Sequence, residues 1–300
     1  MANLGVPTPY VEGIVTCADG RSLEYATLGD PAGSTIFFHH GSPGSNRLLV
    51  ALAPLLERGH FFLVTFSRPG YGYSSRREGR VVADVVGDVR CVLDELGRGS
   101  YVALGWSGGG PHAIACAAND APRCVGAVSI AGVAPIDAGF DWTEGMGAAN
   151  VEEFELALRG APDYEDSIKA LAARMSAATA DDIVDAFGGL FSEPDLVVLA
   201  PYRARAELAA AMNHAFAEGW YGYHDDDRAI LSPWGVDLDS ILVPVSIWYG
   251  DDDLMVPPTH GAWLRANIPA AVSHHHPSDG HESIILNHFD ELASELAGFV

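Results

Sequence analysis

Apolar residues fall along this chain in two alternating patterns. Short, nearly continuous apolar runs occupy 35–38, 61–66, 101–104, 125–131 and 244–249. Such runs suit strands of a parallel sheet, which is covered on both faces. Between them, apolar residues recur every three or four positions. Leu48, Leu49, Leu52, Leu55 and Leu56 predict a helix near 46–58, and Val82, Val85, Val89 and Leu93 another over 81–96. A third begins near Gly110-Pro111 and runs through Ala113, Ile114, Ala115 and Cys116. A short apolar stretch, Ala270, Ala271 and Val272, precedes a last helix carrying Ile284, Ile285, Phe289, Leu292, Leu296 and Phe299. Residues 11–29 read as a leading hairpin that turns at Ala18-Asp19-Gly20. Strands alternating with helices predict an α/β fold built on a doubly wound, mostly parallel sheet.

From 133 to 232 the pattern changes. Helical spacing dominates, in Phe154, Leu156 and Leu158, then Leu171 and Met175, then Leu208 and Met212, and no strand pattern appears. Residues 1–132 and 233–300 are therefore expected to form the core, with 133–232 inserted as a helical cap. The insert holds 19 acidic and 6 basic residues, so it is the acidic part of the protein. Most of its aromatics (Phe140, Trp142, Phe187, Phe191, Trp220, Tyr221, Tyr223) are expected in its own core, and a minority against a substrate.

A chain of 300 residues with 48% hydrophobic content is large enough for one α/β domain plus an insertion. Its net charge of −23 argues against nucleic acid and anionic membrane surfaces as partners, since both need basic patches. A small-molecule substrate is the expected partner, and no pattern specifies an oligomeric state. The N-terminal residues lack a basic segment followed by an apolar run, and no apolar run reaches membrane-spanning length. Cys17, Cys91, Cys116 and Cys124 show no metal or redox spacing, and Cys91 and Cys116 read as small buried hydrophobes. The cytoplasm is the expected compartment.

The candidate chemistry centres on Gly105-Trp106-Ser107-Gly108-Gly109, placed between an apolar strand and a helix. Gly-x-Ser-x-Gly at a strand-to-helix turn is the mark of a nucleophile elbow. The turn is sharp, so Gly105 and Gly109 must be small, and it lifts Ser107 above the sheet edge at a helix N-terminus. A serine needs a base and an acid to act. The loop after strand 244–249 offers Asp251, Asp252 and Asp253, and the loop after the last strand offers His281. The order is serine, acid, histidine. His274, His275 and His276 are consecutive on a strand and point to opposite faces, so they are not expected to share one metal ion. Asp225, Asp226 and Asp227 read as a solvated surface of the insert.

Another motif, His40-Gly41-Ser42-Pro43-Gly44, follows strand 35–38. With it the chain resembles the α/β-hydrolase superfamily, in the branch whose oxyanion loop reads His-Gly-x-Pro-Gly. Arg68-Pro69-Gly70-Tyr71-Gly72-Tyr73-Ser74 matches a second loop of that family, with Ser67 where the family usually has Asp. Gly250-x-x-Asp253-x-x-Val256-Pro257 matches the acid loop, and Gly280-His281 the histidine loop. The resemblance selects Asp253 among the three acids. It implies a structural role for His40 and Gly41, and an oxyanion hole made of the backbone N–H groups of Gly108 and Ser42. It further implies a serine hydrolase that cleaves an ester, lactone or thioester of a small, largely apolar substrate through an acyl-enzyme, with no metal or organic cofactor. The serine sets the chain apart from dehalogenases and epoxide hydrolases of this fold, which use a carboxylate nucleophile. An alternative is a proline-iminopeptidase-like aminopeptidase, which shares His-Gly-x-Pro-Gly, although its Gly-x-Ser-Trp-Gly elbow and Trp-Glu motif are missing here. A ligand-binding receptor on the same scaffold is the third reading.

Overall fold

The computed structural model describes residues 10–269 and 271–300. Residues 1–9 of the expected core, and Ala270 of the short apolar stretch, lie outside the described residues. The chain opens with an antiparallel hairpin, β1 (Tyr10–Thr16) and β2 (Ser22–Gly29), followed by β3 (Ser34–His39) and β4 (Phe61–Phe66). Next come α1 (Val85–Glu95), β5 (Tyr101–Trp106), α2 (Gly110–Asn119) and β6 (Cys124–Ile130). Helices alone follow: α3 (Ala148–Arg159), α4 (Tyr164–Ala177), α5 (Ile183–Ala186), α6 (Glu193–Val198), α7 (Tyr202–Ala215) and α8 (Tyr221–Ile230). The chain then returns to the sheet with β7 (Val245–Gly250), α9 (Pro258–Asn267), β8 (Ala271–His276), α10 (Ser283–Leu286) and α11 (Phe289–Gly298).

The eight strands form one sheet in the order β1-β2-β4-β3-β5-β6-β7-β8. Only the β1–β2 and β2–β4 pairings are antiparallel; from β4 to β8 every pairing is parallel. Strands β4 and β5 are buried at every position, which explains their unbroken apolar sequences. The β3-to-β4 and β4-to-β5 crossovers put β3 and β5 side by side, so the loops leaving both strands meet at one end of the sheet.

Three elements depart from the sequence expectation. The leucine-rich segment Asn46–Glu57 is a 3-10 helix. Pro54 has no N–H for an α-helical bond, and the buried Leu49, Leu52 and Leu55 repeat every three residues, which is the 3-10 period. The last helical segment is divided into α10 and α11 at Asn287-His288. Cys91 is not a free buried thiol: it forms a disulfide with Cys17, which ties α1 to the end of β1. Residues 74 apart in sequence are brought together by the packing of α1 on the hairpin, a proximity that spacing rules do not reveal. Cys116 and Cys124 are buried and free. Among the described residues no helix is long and apolar enough to cross a membrane.

Candidate active site

Ser107 sits where β5 turns into α2, with a backbone φ of 57°. That left-handed conformation is costly for a residue with a side chain. The turn is tight enough that a side chain at Gly105 would strike the carbonyl of Gly109, and one at Gly109 the carbonyl of His39. The chain therefore tolerates only glycine two residues before and two residues after the serine. Beyond it, the first turn of α2 presents its free N–H groups.

His281 lies in the loop after β8 and is buried. Its Nδ1–H donates to Asp253 Oδ2 at 2.8 Å. The other oxygen of Asp253 accepts the backbone N–H groups of Met255 and Val256, each at 2.8 Å, so the carboxylate is fixed from both sides. Of the three acids in the run, Asp253 alone meets His281. Asp251 is exposed and pairs with His275 at 2.7 Å, and Asp252 is exposed. Burial works against a charged His281, but the charge and hydrogen bond of Asp253 outweigh it and raise its pKa above the ordinary histidine value. Trp106, the residue before Ser107, donates its indole N–H to the carbonyl of His281 at 3.0 Å, and the two rings lie 5.3 Å apart.

The loop after β3 packs against the serine. A Cβ placed on Gly41 would stand 3.3 Å from the Cβ of Ser107, and one on Gly108 would stand 3.2 Å from the backbone nitrogen of Ser42. His40 is neutral and internal: Nδ1–H donates to the Gly41 carbonyl at 2.7 Å, and Nε2 accepts from the Arg68 N–H at 3.2 Å. Burial, followed by the charge of Arg68, pushes its pKa well below the ordinary value.

Sequence reasoning missed the group that holds this loop. Arg68 is 1% exposed and donates to the Gly41 carbonyl (2.9 Å), to Ser42 Oγ (2.9 Å) and to Asp226 (2.6 Å). Asp226, from α8, also accepts from Arg80 and from Ser42 Oγ (2.7 Å). Burial opposes its charge, and the two arginines overcome that and hold its carboxyl well below the usual range. The expectation of a solvated surface at 225–227 is thus wrong. Asp225 is buried against Arg76 at 2.8 Å, and Asp227 is buried under the hydroxyl of Tyr164 at 2.8 Å. An acidic run reads as surface by composition, but here its partners lie 63 to 184 residues away. A second missed residue is Asp195 on α6, which is fully buried. It accepts the backbone N–H groups of His281 (3.1 Å), Glu282 (2.8 Å) and Ser283 (2.9 Å). Ser67, in the usual aspartate position, accepts the Asn46 N–H and donates to Glu24 (3.1 Å). Glu24 thus brings a carboxylate to that corner from β2.

A cavity of about 500 Å³ opens over the serine. Ser42, Ser107 and Gly108 line its floor, and Leu156, Met175, Phe187 and Leu190 its helical side. Among the aromatics of residues 133–232, Phe154, Phe187 and Tyr223 reach it. Its wall also holds four carboxyl groups, Glu152, Glu153, Asp185 and Asp227. Tyr223 donates to Glu153. Burial pushes the Glu153 pKa up to about 7, and burial together with the charge of Glu153 raises that of Asp227 well above the carboxylate range.

A family model described as alpha/beta hydrolase fold matches residues 34–288. The structure is similar to that of the esterase RhEst1 from Rhodococcus sp. ECU1013, with 23% identity, a TM-score of 0.69, and coverage of 96% of this chain and 99% of that one. It is similar as well to the enol-lactonase from Burkholderia xenovorans LB400, with 21% identity, a TM-score of 0.67, and coverage of 96% and 99%. At these identities the likeness concerns the fold. Over 112 residues the chain is 32% identical to the uncharacterized hydrolase YcgS of Bacillus subtilis (strain 168). That match spans 37% of this chain and 38% of the relative.

Proposed function

The chain belongs to the α/β-hydrolase fold family, and on that premise we propose that it is a serine hydrolase cleaving an ester, lactone or thioester of a small, largely apolar substrate. Ser107 is the nucleophile, His281 the general base and Asp253 its orienting acid. The Nδ1–H bond to Asp253 leaves Nε2 of His281 as the proton acceptor. As Ser107 Oγ bonds to the carbonyl carbon, its proton passes to His281 and then to the leaving alcohol or thiol. Water, deprotonated by His281, then opens the acyl-enzyme and restores the serine. The N–H groups of Gly108 and Ser42 carry the oxyanion. The helices of 133–232 act as a cap that closes the apolar side of the cavity. The observations that support this most are the buried Asp253–His281 pair, whose histidine carbonyl is bonded by Trp106, and the positive φ of Ser107, the next residue in the chain.

A fluorophosphonate probe and a panel of p-nitrophenyl esters test the reading. Ser107→Ala is expected to abolish labelling and lower kcat/KM by several orders of magnitude. Asp253→Asn is expected to cost about 10³- to 10⁴-fold, and Asp251→Asn to remain near wild type. Labelling at another serine, or crippling by Asp251→Asn, would overturn the assignment.

One observation favours a second reading. Glu153 and Asp227 place paired carboxyl groups on the cavity wall. A substrate ammonium seated there gains charge-assisted hydrogen bonds of about 1.5–3 kcal/mol each. An aminopeptidase would use such a pair. The discriminating comparison is a prolyl-naphthylamide against its N-acetylated form and a butyrate ester. Preference for the free amine by about a hundredfold, with slow ester cleavage, selects the aminopeptidase, since that ratio is about 2.7 kcal/mol, the worth of one or two such bonds.

A further inference from the structure

The alternation of β8 separates its three histidines. His275 turns to one face, where it stacks on Tyr249 and pairs with Asp251. His274 and His276 turn to the other, over Trp248 and toward α11. There they meet His288, which precedes α11, and Glu291 on its first turn. The nitrogen His276 Nε2 is buried yet has no hydrogen-bond partner among the described residues. It lies 3.9 Å from Glu291 Oε2, and His288 Nδ1 lies 3.8 Å from the same oxygen. One ligand atom from each of the three residues falls within 4.8 Å of the others.

We propose that His276, His288 and Glu291 bind one divalent d-block cation of the zinc class, with solvent in the fourth position. Two imidazoles and a carboxylate are the donor set that such ions prefer, whereas magnesium and calcium prefer all-oxygen sites. Donors about 2.0–2.1 Å from a tetrahedral ion stand about 3.4 Å apart, so the two distances to Glu291 shorten by about half an ångström on binding. The surrounding groups are arranged as a metal site requires. Asp279 Oδ2 accepts from His288 Nε2 at 2.7 Å, which leaves the Nδ1 lone pair facing Glu291. Asn287 holds the other oxygen of Asp279 at 3.0 Å. His274 bonds the second oxygen of Glu291 at 2.8 Å, leaving the first for the ion. A carboxylate behind a ligating histidine fixes its tautomer and strengthens it as a ligand. Glu291 is half-exposed, so water reaches the fourth position. None of the three ligands lines the cavity over Ser107, so the ion is structural. It clips the end of β8 to the start of α11 and, through Asp279, to the loop that carries His281.

The test uses the full-length protein without an affinity tag, stripped with chelator and titrated with zinc chloride by calorimetry. Wild type is expected to take up one zinc per chain and to melt at higher temperature with it; magnesium chloride is expected to do neither. Cobalt in place of zinc should give the visible absorption of a tetrahedral ion. H276A and H288A are expected to lose uptake and the cobalt band. Asp279→Asn should weaken binding about 10- to 100-fold, and His275→Ala, on the opposite face, should bind like wild type. If H276A does not fold, Glu291→Gln and H288A carry the same comparison. Absence of saturable zinc uptake by wild type, or uptake undiminished in H288A and Glu291→Gln, overturns the proposal.

Discussion

Replacing Asp195 with asparagine should reveal how the helical segment controls His281. Asp195 takes five hydrogen bonds: Oδ1 serves the N–H groups of Glu282 and Ser283, and Oδ2 those of Ser192 and His281 together with the Ser192 hydroxyl. In Asp195→Asn one oxygen becomes an NH₂ group. Whichever it is, two backbone N–H groups lose their acceptor, while the Ser192 hydroxyl can rotate away. A buried N–H without a partner costs about 1–3 kcal/mol, so the variant should lose about 2–6 kcal/mol. Against a typical total of about 5–15 kcal/mol the protein stays folded, and the loss falls on the loop of residues 281–283, shared with Ser192 where Oδ2 is the oxygen replaced. A shift of about 1 Å in a catalytic group can cost about a hundredfold in rate, so kcat/KM should fall on that scale. The charge of Asp195 is also among the groups that raise the His281 pKa. Its removal should therefore move the pH limb of activity toward lower pH, which loosening alone would not do. Urea denaturation and a pH series of kcat/KM on p-nitrophenyl butyrate measure all three effects. A stability change below about 0.5 kcal/mol with unchanged kcat/KM would refute the reasoning.

Two further outcomes are expected. Because Asp253 raises the His281 pKa and the base must be neutral, ester turnover in wild type should climb with pH along a limb centred above about 6.5; a flat profile from about pH 5 to 9 would exclude His281 as base. Asp226→Ala leaves Arg68 and Arg80 buried without their carboxylate and should cost about 3–5 kcal/mol in urea titration; a loss under about 1 kcal/mol would mean that solvent already screens the cluster.

The core was legible because its strands are covered on both faces and so spell continuous apolar runs, as β4 and β5 do. Ser107 was legible because its turn permits only glycine at 105 and 109, and glycine is visible in a sequence. Asp195 was not, since its partners are backbone N–H groups, which every residue but proline carries. Asp226 was hidden for a related reason: its meaning depends on arginines 146 and 158 positions away, and a run of three aspartates ordinarily signals solvent. The 3-10 form of 46–57 could have been read from Pro54 and the three-residue leucine spacing, a period close enough to 3.6 to pass as an α-helix.

Asp195 and Asp226 both belong to the stretch between β6 and β7, yet their bonds are made to the loops of the sheet. The insert is therefore not a detachable module. A chimera that exchanged residues 133–232 for another helical insert would strand two guanidinium groups in the interior and release the strand-end loops at 40–42 and 281–283 together. Recombination between such proteins can succeed only if the incoming segment brings a carboxylate to each of those two places, or if residues 68 and 80 change along with it. The unit of inheritance is the insert with its arginines, not the insert alone.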